Sequence, residues 1–75
     1  MRVTVRFFIS GRETEVELHD AATLDDCLKS LIQKFPELEQ MVKISRFAVG
    51  GVSVLRTNVL SENDVITMIP PISGG

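Results

Sequence analysis

Tryptophan and tyrosine are absent from these 75 residues, and cysteine occurs once. No apolar run approaches the roughly 20 residues that a membrane-spanning helix needs. Each shortage removes a class of explanation. A single cysteine, Cys27, can neither close an intrachain disulfide nor supply a multi-cysteine metal site. The opening Met1-Arg2-Val3-Thr4-Val5 alternates like a strand and does not resemble a secretory leader, so the expected compartment is the cytoplasm, with no membrane partner. A cationic surplus is also missing. Eight Lys and Arg stand against ten Asp and Glu, for a formal charge of −2, and the basic residues are spread from Arg2 to Arg56. Displacing counterions from phosphates needs a basic excess, so nucleic acid is not an expected partner, and a protein with a basic or mixed surface fits better.

What is present reads as one small globular domain, residues 1–75. The chain is 44% hydrophobic and 24% charged, which argues against disorder. A domain of this size buries only about 60% of the surface of its unfolded chain, so the core is thin and each large apolar residue counts.

From Arg2 to Ser10 the residues alternate, with Val3, Val5, Phe7 and Ile9 on one face and Arg2, Thr4, Arg6 and Phe8 on the other. Ser10-Gly11-Arg12 supplies a turn. Thr14, Val16 and Leu18 then alternate with Glu13, Glu15, Glu17 and His19, completing a hairpin with arginines and glutamates on its outer face. Thr23 and Asp26 form a capping-box pattern that opens a helix. Leu24, Cys27, Leu28, Leu31, Ile32 and Phe35 recur at helical spacing, and Pro36 sets the latest end near Phe35. One further helical turn is expected around Leu38 to Val42. A short strand reaching Val49 turns at Gly50-Gly51 into another over Val52 to Leu55. Arg56 to Asp64 reads as a loop with room for one helical turn, and Val65 to Ile69 as a central strand with Ile66 and Met68 inward and Thr67 and Ile69 outward. The order predicts an α+β fold with a mixed sheet and one main helix packed across it; with the last strand pairing beside the first, the two run parallel, which is the β-grasp, ubiquitin-like arrangement expected here.

The last six residues, Pro70-Pro71-Ile72-Ser73-Gly74-Gly75, are expected to leave that body as a protruding tail. Two prolines hold φ near −65° and remove two backbone donors, so the strand must stop pairing there. Gly74 and Gly75 carry no side chain, and with Gly75 as the natural end the tip offers only a carboxylate. At about 3.3 Å per residue, Ile72 to Gly75 reach roughly 13 Å, enough to enter another protein's site.

No catalytic site is legible elsewhere: there is no nucleophile beside a base, no phosphate loop and no paired carboxylates. Cys27 sits on the apolar face of the predicted helix and reads as a small core residue. His19 has no companions at ligand spacing, so no metal is assigned.

The hairpin start, the single amphipathic helix, Phe47-Ala48-Val49-Gly50-Gly51, Asn63-Asp64-Val65 and the closing Ile69-Pro70-Pro71-Ile72-Ser73-Gly74-Gly75 together resemble the small sulfur-carrier subunit of molybdopterin synthase. The resemblance covers the whole chain, and the double proline ahead of Gly-Gly is its most specific part. It implies a carrier that is not itself an enzyme. A ubiquitin-activating-like adenylyltransferase would use ATP to adenylate Gly75, which becomes a thiocarboxylate. Pro70, Pro71, Ile72, Ser73 and Gly74 would insert into the large synthase subunit, where the sulfur passes to a pyranopterin to build the dithiolene of the molybdenum or tungsten cofactor. No cofactor would be bound by the chain itself.

Phe8 and Ile69, outward and close to the tail, are expected to form the docking patch for both partners. Asn63-Asp64 stands where the family commonly has Gly-Asp, and Gly50-Gly51 where it commonly has an asparagine followed by another residue. The short Ser10-Gly11-Arg12 turn is closer to the thiamine-pathway sulfur carrier, which also ends in Gly-Gly. The readings open beside the synthase carrier are a thiamine-pathway or tRNA-thiolation carrier, a ubiquitin-like modifier conjugated through Gly75, and a binding domain whose tail is incidental.

Overall fold

The computed structural model describes residues 1–71. Five strands form one sheet in the order β2-β1-β5-β3-β4, where β1 is Arg2–Phe7, β2 Glu13–Glu17, β3 Arg46–Val49, β4 Val52–Val54 and β5 Val65–Ile69. The β1–β5 pair is parallel and the other pairs are antiparallel. This is the expected β-grasp arrangement, and it puts the strand that leads into the tail at the centre of the sheet.

One helix, α1 (Leu24–Lys34), lies across the sheet. The capping box is complete: the Asp26 N–H donates to the Thr23 hydroxyl at 3.2 Å, and the Thr23 N–H donates to the Asp26 carboxylate at 3.0 Å. Helical spacing brings Leu24, Cys27, Leu28 and Leu31 onto one face, and all four are fully shielded. They form the core with Val3 and Val5 of β1 and Ile66 and Met68 of β5, so Ile66 and Met68 point inward as expected. Thr67 and Ile69 are half-buried. Burial of the three helix leucines at about 1.5–3 kcal/mol each is a main source of stability for so small a domain.

Phe35 caps α1, and Pro36 begins a single 3-10 turn, Pro36–Leu38. A second helix, α2 (Glu39–Ile44), follows, longer than the one expected turn. Val49 and Val52 close a two-residue turn in which Gly50 and Gly51 have φ of 59° and 79°. Both central residues are left-handed, as the twist of a tight hairpin requires. Asn63 is also left-handed, with φ 68°, a conformation that asparagine shares with glycine.

Three expectations need correction. The first strand ends at Phe7 and not at Ser10, because the Phe7 N–H donates to the Arg12 carbonyl and the Gly11 N–H returns to the Phe7 carbonyl, both at 2.8 Å. Ile9 therefore does not share the inward face of Val3 and Val5 and is 77% exposed. The fourth strand stops at Val54, leaving Leu55 exposed. No helical turn occurs between Arg56 and Asp64. That segment serves α1 instead: Asn58 and Arg56 carbonyls accept from the N–H groups of Leu24 and Asp25, and Leu60 returns a bond to Ala22. Backbone donors that a helix start leaves unpaired are thus satisfied by the loop.

Candidate functional site

The site is the root of the tail. β5 enters it with neighbours on both sides: Met68 is opposite Phe7 on β1 and Phe47 on β3, and Ile69 is opposite Arg46. Beyond Ile69, Pro70 is half-buried and Pro71 exposed. A strand clamped on both edges and pinned through Met68 in the core gives the following residues a rigid base. Ile72, Ser73, Gly74 and Gly75 lie outside the described residues, so the expected insertion and sulfur-acceptor positions beyond Pro71 are not described structurally.

Phe8 follows the end of β1 and donates its N–H to the Met68 carbonyl at 3.1 Å, which brings its backbone beside the Met68–Ile69 peptide. Its side chain is 56% exposed. It lines an open, largely apolar groove of about 770 Å³ together with Phe7, Ile9, Phe35, Leu38, Met41 and Pro70. Ile69 is half-buried and does not line that groove. The groove escaped sequence reasoning because its wall joins the first turn to the end of α1 and to α2, segments far apart in the chain. The signal available in advance was the excess of apolar residues at Phe8, Ile9, Leu38 and Met41 outside regular strands.

The remaining ionisable groups support the frame. Arg2 bridges Glu17 at 2.7 Å across β1 and β2, and that hydrogen bond holds the Glu17 carboxyl below its usual range. Asp25 receives Lys29 and Arg56, each at 3.2 Å, and both lower its pKa. Asp26 is lowered chiefly by the backbone N–H of Thr23. Cys27 is enclosed in the core, and burial pushes its thiol up to about 11, which keeps it a protonated, unreactive packing residue. His19 is exposed, with Nδ1 2.9 Å from the Asp20 carbonyl and Nε2 3.5 Å from Asp26. Among the described residues, no group of three or more His, Cys, Asp or Glu is placed to hold a metal, and no helix is long and apolar enough to cross a membrane.

A family model, the ThiS family, matches residues 5–75. The chain belongs to the ThiS family. Within it, the chain is 31% identical over 83 residues to the molybdopterin synthase sulfur carrier subunit of Chlamydomonas reinhardtii, with all of both chains covered. It is thus a member of the molybdopterin synthase small-subunit, sulfur-carrier group. Among solved structures, SAMP1 from Haloferax volcanii superposes with a TM-score of 0.89 at 21% identity over the full length of both chains, which establishes the ubiquitin-like fold. A chain of the complex of subunits 1 and 2 of molybdopterin-converting factor from Helicobacter pylori superposes with a TM-score of 0.74 at 27% identity, again over both full lengths. The likeness to this family's members extends through the segment that holds Pro70 and Pro71.

Proposed function

We propose that this ThiS-family chain carries sulfur on the carboxylate of Gly75 for the synthesis of molybdopterin. The supporting observation is the position of β5: the double proline follows a strand paired on both sides and buried at Met68, so the segment after it starts from a fixed point. A carboxylate is inert toward sulfur until it has a leaving group. An adenylyltransferase resembling the ubiquitin-activating enzymes joins it to the α-phosphate of ATP and releases pyrophosphate. A sulfur nucleophile then displaces AMP, which departs with one of the original carboxylate oxygens, and leaves a thiocarboxylate.

Pro70 to Gly74 thread this group into the large synthase subunit. There the sulfur attacks an electrophilic carbon of a pyranopterin precursor, which gives up the oxygen it carried. Water then cleaves the resulting thioester, returning the carboxylate to Gly75 and leaving the sulfur on the pterin. The chain acts as substrate and donor; catalysis belongs to its two partners. The Helicobacter pylori relative, solved as subunits 1 and 2 together, supports a large-subunit partner. Phe8 and Ile69, beside the tail's root, are assigned to docking, and the reaction is placed in the cytoplasm.

Mass spectrometry of the protein isolated from its own cells tests the proposal. A gain of about 16 Da at the terminus, the exchange of O for S that such activation leaves, is the expected result. Its loss on deletion of Gly75, together with loss of molybdoenzyme activity, completes the expectation. Ladders of adducts on other proteins would indicate a modifier instead, and loss of thiamine synthesis alone would move the carrier to that pathway. A Gly75 deletion that changes none of these would overturn the proposal.

A further inference from the structure

The uncovered face of the sheet has a charge pattern that the net charge of −2 conceals. Alternation from the buried Val3, Val5, Phe47, Ile66 and Met68 directs Arg6, Arg46, Thr67 and Ile69 outward. Arg6 is opposite Thr67 on one side of β5, and Arg46 is opposite Ile69 on the other. The two arginines therefore bracket the strand immediately before Pro70. Both are exposed, and neither has an ion-pair partner among the described residues. Arg6 stands opposite Glu13 in the hairpin without bridging it, whereas Arg2 on the same strand takes Glu17 at 2.7 Å.

Two strand spacings across and two residues along put the arginine Cα atoms about 12 Å apart. The positions between them, Thr67, Ile69 and Ala48, are uncharged. At the far edge, Glu13, Glu15 and Glu17 of β2 are all exposed. An acidic surface approaching this face is drawn to the root of the tail and repelled from β2, which sets its orientation as well as its rate of arrival.

We infer that the large synthase subunit, the partner assigned above, meets this face with carboxylates placed to straddle the tail, one reaching Arg6 and the other Arg46. The inference rests on the carrier reading and adds to it the chemistry of the partner's mouth. It departs from the expectation of a basic or mixed partner surface, which rested on net charge: the charge that decides docking is local to the end of β5.

The test uses the full chain and the large synthase subunit of the same organism, with association followed by stopped flow from low to high salt. Arg6→Glu with Arg46→Glu should slow association by about tenfold or more at low salt and flatten its salt dependence. Arg6→Gln with Arg46→Gln should give a smaller loss in the same direction, and this pair avoids placing a new glutamate beside Glu13. Lys43→Glu, on α2 and off the sheet, should leave the rate within about twofold. Circular dichroism confirms folding of each variant. A complex whose association rate ignores both arginine pairs, or rises with their reversal, overturns this inference and leaves the carrier reading standing. Failure of the wild-type chain to bind the large subunit overturns both.

Discussion

Phe7 and Met68 stand opposite one another in the parallel ladder between the first and last strands, and the next rung, from the Phe8 N–H to the Met68 carbonyl at 3.1 Å, falls two residues ahead of Pro70. The segment that leaves the domain is thereby held by backbone pairing and, through the 3% exposed Met68, by the core. Positioning of the tail and stability of the fold share one anchor.

Met68→Ala should therefore lower the free energy of unfolding by about 2–5 kcal/mol. A small domain has roughly 5–15 kcal/mol in total, so the urea midpoint should fall sharply. A loss below about 1 kcal/mol would mean that Met68 is not the anchor described.

The helix start offers a second check. Thr23→Ala removes the hydroxyl that accepts the Asp26 N–H and should cost about 0.5–2 kcal/mol. Amide exchange should accelerate in the first turn of α1 before it does in β5. Uniform acceleration across the chain would show instead that the cap has no local role.

Acid should destabilise the fold through Glu17, Asp25 and Asp26. Each is held below its usual pKa by hydrogen bonds made to the charged form, from Arg2, from Lys29 and Arg56, and from the Thr23 N–H respectively. Because the folded values lie below the unfolded ones, the contribution is complete above the ordinary carboxylate range, about pH 4, and is lost as pH falls through the lowered values. All three groups are solvent-accessible, so salt should weaken the effect. Urea midpoints between pH 7 and pH 2 measure it, and Asp26→Asn should flatten part of the decline. A midpoint that rises on acidification would contradict the assignment.

Cys27 should be spectator to the sulfur chemistry. A thiol reagent should modify it in the native protein about a thousandfold more slowly than in denaturant, since access requires opening of the core. Cys27→Ala should retain the terminal mass gain of about 16 Da that a thiocarboxylate leaves. Loss of that gain in a folded variant would bring the cysteine into the pathway.

Much of the fold was legible from local chemistry. Val3 and Val5 alternate with charged or polar neighbours, Thr23 and Asp26 have the spacing of a capping box, and Gly50-Gly51 allows the left-handed pair that a tight hairpin demands. These signals act over a few residues, and so they survive in the sequence. The misreadings have the opposite character. Ile9 continues the alternation of its strand, yet the Phe7–Arg12 bond turns the chain before it can pair. The loop from Arg56 to Asp64 has weak propensity of its own and takes its shape from the α1 donors that it satisfies.

Sequence by itself determined the elements of this protein and the run of Pro70-Pro71 before Gly74-Gly75, because backbone restriction and missing side chains are properties of single residues. Tertiary structure alone decided the register, which sets Arg6 opposite Thr67 and Arg46 opposite Ile69 on the two sides of β5. That register gathers Arg6, Arg46 and Ile69 at the end of β5 from positions far apart in the chain, and strand pairing, unlike local propensity, depends on which surfaces the whole domain can bury together.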